Sequence, residues 1–188
     1  MKSTEGRTLS ITGAVTFWSL LLSKKVVVVF CFPQPPPEMI FATEAMHVTE
    51  LEIHKMLGMQ LAAAGDAHIL VLPESPLVLN HLGTVHAGVQ FVLAEACSGE
   101  FLLRHFGNDP RHVFAVLRTS NVKFRRPAQG ELRASARLLE KSRESLTDEL
   151  ASRGRAFASV LVEVSDANLV VTMKGQYDWF LKQQADVL

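Results

Sequence analysis

The sequence has little of what usually announces a chemistry. Its two cysteines, Cys31 and Cys97, lie far apart in very different surroundings. Alone they build neither a disulfide framework nor a zinc site, and a reducing compartment, the cytoplasm, is the expected setting. There is no excess of charge: Lys+Arg and Asp+Glu both number 19. No global field therefore draws nucleic acid or a membrane, and neither is an expected partner. H-E-x-x-H, paired C-x-x-C, the P-loop and the G-x-S-x-G elbow are all missing, and His81 and His86 have no convincing third ligand. No metal site is assigned. No internal repeat is present either.

A long apolar run is also lacking. Lys2 and Arg7 precede the apolar stretch from Ile11 to Leu22, but Lys24 and Lys25 interrupt it before Val26 to Phe32, and Pro33, Pro35, Pro36 and Pro37 follow. A spanning helix needs about 20 apolar residues, and each lysine inside one costs roughly 2.5 to 3.5 kcal/mol. A secretory signal would need a small-x-small cleavage site before those lysines, and none is clean. Residues 1–45 are therefore expected to be an extension outside the fold, ending in a semi-rigid proline linker, or an over-long start preceding Met39 or Met46.

What is present is apolar content, 48% of 188 residues, enough for one well-buried core. Residues 46–188 read as one domain. Thr49 and Glu52 have capping-box spacing, and Leu51, Ile53 and Leu57 lead to Gly58, which predicts a short helix. Met59 to Ala64 and His68 to Leu72, joined by Gly65-Asp66, predict a hairpin ended by Pro73 and Pro76. After a loop from Glu74 to Gly83, the proline-free run Thr84 to Phe106 predicts a long central helix, stopped by Gly107-Asn108-Asp109-Pro110.

From Phe114 to Phe124 the apolar period becomes two, and further strands are expected over Glu131 to Glu140, Arg155 to Val164 and Leu169 to Tyr177. A short helix, Ser145 to Arg153, sits among them. Strands clustered without alternating helices describe α+β, with an antiparallel sheet curled around the long helix.

At 100° per residue, Glu95 shares a face with Thr84, Gly88, Phe91, Val92, Gly99 and Leu102, opposite a face carrying Gln90, Cys97, Glu100 and Arg104. Glu95 is thus expected on the apolar side, where an unpartnered carboxylate costs several kcal/mol or takes up a proton. An ordinary salt bridge or an interface hydrogen bond would also satisfy it. Glu100 and Arg104, at i,i+4, are expected to form a solvated ion pair. The segment from Asn80 to Gly88 brings small residues and amide donors to the positive end of the helix, where free N–H groups can polarise a carbonyl. A plainly capped helix start is the alternative.

The string Asn80-x-x-Gly-Thr-x-His86-x-Gly88, with Glu95 nine positions after the histidine, resembles the hotdog thioesterases related to phenylacetyl-CoA and 4-hydroxybenzoyl-CoA thioesterases. The resemblance runs from about Met46 to Phe180. It takes in Leu57-Gly58, the segment Phe124-Arg125-Arg126-Pro127-Ala128-x-Gly130, and Gly154-Arg155-Ala156.

It implies a hotdog fold, a curved antiparallel sheet wrapped around the helix, and hydrolysis of an acyl-CoA. Asn80 would orient the thioester or the water, the amide at Ala87, with Gly88 beside it, would hold the oxyanion, and Glu95 would be general base or nucleophile. His86, Phe91 and Val92 would border the substrate, and Lys123, Arg125 and Arg126 would meet the phosphates of coenzyme A. No cofactor is implied beyond the coenzyme A of the substrate. A homodimer or homotetramer is implied, with sites between subunits. The usual His-Gly-Gly reads His86-Ala87-Gly88 here, and the Ala87 methyl narrows the approach. A hydroxyl often found a turn after the acid has Ser98 as its nearest candidate. The alternatives are a hotdog enoyl-CoA hydratase or dehydratase, which pairs its acid with a histidine, and a non-catalytic acyl-CoA-binding protein.

Overall fold

Six antiparallel strands form a single sheet in the order β1-β2-β4-β5-β6-β3, and one long helix packs across it. The strands are β1 (Gln60–Leu61), β2 (Leu70–Leu72), β3 (Val113–Phe124), β4 (Leu132–Leu138), β5 (Arg155–Ser165) and β6 (Val171–Gln183). The helices are α1 (Glu52–Met56), α2 (Ala87–Phe106) and α3 (Arg143–Arg153). The computed structural model describes residues 47–106 and 113–183. The extension over 1–45 and the Gly107 to Pro110 stop lie outside the described residues.

Alternation builds the sheet's inner face. Along β5, Ala156, Ala158, Val160, Val162 and Val164 point inward and are buried, as are Met173, Tyr177, Trp179 and Leu181 along β6. Facing them on α2 are Leu93, Ala94, Ala96, Cys97 and Leu102, all buried. Each fully buried Leu, such as Leu93, Leu132 and Leu150, contributes about 1.5–3 kcal/mol by leaving water. Trp179 fixes how α2 lies on β6, because its Nε1–H donates to Ser98 Oγ at 3.1 Å.

The hairpin forms as expected, but with short strands, Gln60 pairing with Val71 and Leu61 with Leu70. α3 begins after Ser142, whose Oγ accepts from the Ser145 amide, and ends at Gly154 in the left-handed conformation. β6 extends to Gln183, past the expected end at Tyr177, because β3 and β5 both pair with it along its length.

The Thr49–Glu52 capping box does not form. Val48–Glu50 is a 3-10 turn, and α1 starts after Leu51 with no side-chain cap. The buried residue of α1 is His54, while Leu51 and Ile53 are exposed. The imidazole displaces the apolar face because its Nδ1 bonds the Val48 carbonyl oxygen at 2.6 Å.

The expected solvated pair of Glu100 and Arg104 is also corrected. Glu100 is 0% exposed and takes bonds from His47 Nδ1 at 2.9 Å, the Val48 amide at 3.2 Å and Arg104 Nε at 3.1 Å. The 3-10 turn covers Glu100 on this side of α2, so the carboxylate is interior while Arg104 reaches it from an exposed position. Gln90 and Cys97 are buried there too.

Among the described residues β3 has a strand neighbour on one side only, and it is largely exposed along its 12 residues, Phe114, Val116 and Phe124 included. A long, apolar, open edge is a template for pairing with another strand.

Candidate active site at the start of the central helix

α2 begins at Ala87, three residues later than Thr84, because the preceding residues are held in a tight loop. Asn80 organises that loop. Its Oδ1 accepts from the amides of Leu82 (2.8 Å) and Thr84 (3.2 Å), and its Nδ2 donates to Thr84 Oγ1 at 2.9 Å. Gly83, at φ +71°, makes the turn that lets both ends of the loop reach Asn80. Val85 and His86 are then tied down by amide bonds to the carbonyls of Ala128 and Val78. One Nδ2 hydrogen of Asn80 is left to point elsewhere.

His86 caps the helix. Its Nδ1 accepts from the Gly88 amide at 2.9 Å, and its carbonyl accepts from the amides of Val89 and Gln90. Of the two amides expected to serve an oxyanion, that of Gly88 is therefore occupied. The Ala87 amide bonds no described residue. An open N–H at the first position of a 20-residue helix is a ready donor to a polarised oxygen.

A cleft of about 340 Å³ brings Asn80, Ala87, Arg125 and Arg126 together, with Phe124 and Pro127 on its wall. The arginines are carried there by a deliberate fixture. Their backbone amides both bond the Thr172 carbonyl, Thr172 Oγ1 donates to Gln90 Oε1 at 3.0 Å, and Gln90 Nε2 donates to the Val85 carbonyl at 3.3 Å. The helix start and the basic segment are thus braced through one buried amide. Lys123 lies on the exposed β3 and does not line the cleft; nor do Gly88, His86, Phe91 or Val92.

Glu95 stands two turns further along α2, outside that cleft within one chain. It is half-buried, flanked by half-buried Phe91 and Val92, and its carboxylate bonds no described residue. Burial raises its carboxyl above the usual carboxylate range, opposed in part by His54. The expected apolar setting is present, though Leu102 of that face belongs to the core. Ser98 is engaged, donating to the Glu95 carbonyl at 2.7 Å and accepting from Trp179.

Two neighbours of Glu95 were not legible in the sequence. His54 comes from α1, and Tyr177 from β6 stacks its ring 5.9 Å from that of Phe91. The Gln90 brace was likewise not foreseen. A phenol on the otherwise apolar inward face of β6, in line with Met173 and Leu181, is the one signal that singles out Tyr177. Among the described residues, no three His, Cys, Asp or Glu side chains sit as a metal site requires, and no helix is long and apolar enough to cross a membrane.

Residues 61–181 match a family described as Domain of unknown function (DUF4442). No curated protein matches the chain. Among solved structures, a Pseudomonas aeruginosa protein of unknown function, described as a probable thioesterase, is 26% identical, covering 74% of this chain and 94% of its own, with a TM-score of 0.65. A Haemophilus influenzae thioesterase is 15% identical, with coverage of 74% and 89% and a TM-score of 0.58. A Bacillus halodurans protein solved with CoA is 22% identical, with coverage of 69% and 74% and a TM-score of 0.54. The sheet wrapped on its helix is the hotdog fold of these thioesterase-superfamily neighbours.

Proposed function

From a chain that belongs to the DUF4442 family and carries the hotdog fold, we propose hydrolysis of an acyl-CoA thioester to a free acid and coenzyme A. The observation that carries this reading is the pair of unengaged groups on one helix: the open Ala87 amide at its start and the unpartnered Glu95 carboxylate two turns on. The thioester carbonyl oxygen accepts from the Ala87 N–H. Glu95 takes a proton from water as the water oxygen attacks the carbonyl carbon, and the C–S bond then breaks with its electron pair leaving on the coenzyme A thiolate. Direct attack by Glu95, with water resolving the anhydride, uses the same groups. Arg125 and Arg126 meet the phosphates of coenzyme A at the cleft.

The reading includes a homodimer. The cleft and Glu95 are separate within one chain, and the long exposed β3 edge gives a second copy a place to pair. One site would then take its Ala87 amide from one protomer and its Glu95 from the partner. By the likeness of their loop pattern, the phenylacetyl-CoA and 4-hydroxybenzoyl-CoA thioesterases point to aryl acyl groups, with the Ala87 methyl limiting size near the carbonyl.

A second reading is favoured by His54, a buried imidazole near enough to Glu95 to oppose the rise that burial causes in its carboxyl, which would supply the histidine that a hydratase pairs with its acid. One comparison separates the two. Short, medium, long and aryl acyl-CoA substrates are assayed for free thiol, and an enoyl-CoA for loss of its conjugated absorbance. Thiol release supports hydrolysis, and hydration without thiol release replaces it with the second reading. Tight acyl-CoA binding with neither reaction would make the chain a binding protein.

A further inference from the structure

Tyr177 is 0% exposed, yet its hydroxyl is the one buried side-chain polar atom among the described residues with no hydrogen-bond partner. Leaving such a group unsatisfied costs about 1–3 kcal/mol, so its position needs a reason.

The sequence goes to some length to put it there. A Cβ on Gly175 would lie 2.7 Å from Tyr177 Cε2 and 3.2 Å from its Cζ, so the phenol ring lies folded over a position where the sheet carries no side chain. Val122 closes the other side, 3.0 Å from the same Cβ position. The ring cannot be explained as simple filling, because a Phe would fill that space without an orphaned hydroxyl.

Helix register says what lies above it. Phe91 meets Tyr177 at 5.9 Å between ring centroids, and Ser98 meets Trp179 at 3.1 Å, two residues further along the same strand face. Glu95 falls between Phe91 and Ser98 on the side of α2 turned toward this part of β6, so its carboxylate stands over the span from Tyr177 to Trp179. The negative charge of Glu95 acts on the Tyr177 phenol accordingly, after burial itself, in holding its proton on. Two polar groups, each without a hydrogen-bond partner among the described residues, thus fall on neighbouring positions of the same contact between α2 and β6.

We propose that Tyr177 is a positioning residue for Glu95: its hydroxyl donates a hydrogen bond to the ionised carboxylate, directly after rotation of the Glu95 side chain or through one water, and holds it for reaction. The proposal rests on the reading of Glu95 as the base of the hydrolytic site. A donor of this kind favours the charged form of the acid and fixes its rotamer, which serves the rate of the chemical step more than substrate binding. The other titratable groups facing Glu95 are few. His54 approaches from α1, while Cys97, a thiol that burial keeps protonated, lies round the helix from Glu95 and acts on Tyr177 instead. The inward residues of β4 and β5 are Leu or Ala and Val or Ala, with no charge to contribute. Glu100 and His47 are joined to each other beneath the 3-10 turn.

Tyr177→Phe deletes only the hydroxyl, and two measurements on the full-length variant test the assignment. The first is the ionisation midpoint of Glu95, followed by carbon-13 NMR of labelled glutamate carboxyls, with the resonance assigned through Glu95→Gln. The second is the pH profile of kcat on whichever acyl-CoA the wild type turns over. The variant is expected to fold with a melting temperature no lower than wild type, to raise the Glu95 midpoint by about one unit, and to move the acid limb of kcat by the same amount. kcat should fall about tenfold and KM should stay within about twofold. An unchanged Glu95 midpoint overturns the proposal even where hydrolysis stands. A raised midpoint in a protein that turns over no acyl-CoA keeps the Tyr177–Glu95 coupling and removes its catalytic purpose, so the two failures are distinguishable.

Discussion

The Gly88 amide donates to His86 Nδ1 at 2.9 Å, so the residue with the most conspicuous side chain in the loop is used to start the helix. A Cβ on Gly88 would stand 3.0 Å from that same nitrogen, which ties the glycine to the cap. The consequence is a division of labour between adjacent amides. Gly88 completes the cap, and Ala87 is left facing the cleft.

Replacing Ala87 by Pro removes that one N–H at a helix position where proline is well tolerated. The variant should keep its melting temperature and lose about 100-fold or more in kcat, the usual effect of deleting an oxyanion donor. Steady-state kinetics beside a thermal melt checks this. Full activity would assign the oxyanion to another donor.

Glu95 should weaken the fold at neutral pH. Burial raises its carboxyl above the ordinary 4.5, so the folded chain holds that proton more tightly than the unfolded chain does. The stability it contributes is fully present below the unfolded value and is lost as pH rises through the folded one. Glu95→Gln is therefore expected to melt above wild type near pH 7, with the gain vanishing toward about pH 4. Thermal melts across this range read it directly.

Glu100 should behave in the opposite way. Its buried carboxylate holds His47, the Val48 amide and Arg104 together. Glu100→Gln leaves charge-assisted bonds unmade and should cost about 1.5–3 kcal/mol in denaturant melts, while kcat at a temperature well below unfolding stays near wild type. A stability equal to wild type would show that the 3-10 turn is held by its apolar contacts alone.

The exposed edge offers a test of assembly. Val116→Glu places a charge on the exposed β3 edge, where a second copy pairing along that edge would have to bury it or meet it with a like charge. Sedimentation velocity should give a dimer for wild type and a monomer for the variant, with turnover falling to background because the cleft and Glu95 no longer meet. An active monomer would place the whole site in one chain.

How far these features could be read from the sequence depends on the range of the interactions behind them. The hairpin at Gly65-Asp66, the body of α3 up to Arg153, and the span of β5 rest on local chemistry and were legible, whereas the Ser142 cap, ahead of the expected start at Ser145, was not. The loop from Asn80 to Gly88 was legible as a helix start, but its inner wiring was not, since Asn80 serves the loop itself with three of its bonds. Glu100 was misread because a helical wheel assumes one buried side. Its partners lie 52 and 53 positions earlier in the chain, in a turn that covers the second side. Tyr177 escaped for the same reason: nothing near it in sequence says that its hydroxyl lies under α2.

The central claim is that Glu95 performs hydrolysis, and thiol release measured under saturating acyl-CoA tests it most directly. Wild type and Glu95→Gln should both fold and assemble alike, wild type should release coenzyme A continuously, and the variant should be slower by about 1,000-fold or more. A Glu95→Gln protein that hydrolyses the same substrate at the wild-type rate would contradict the account.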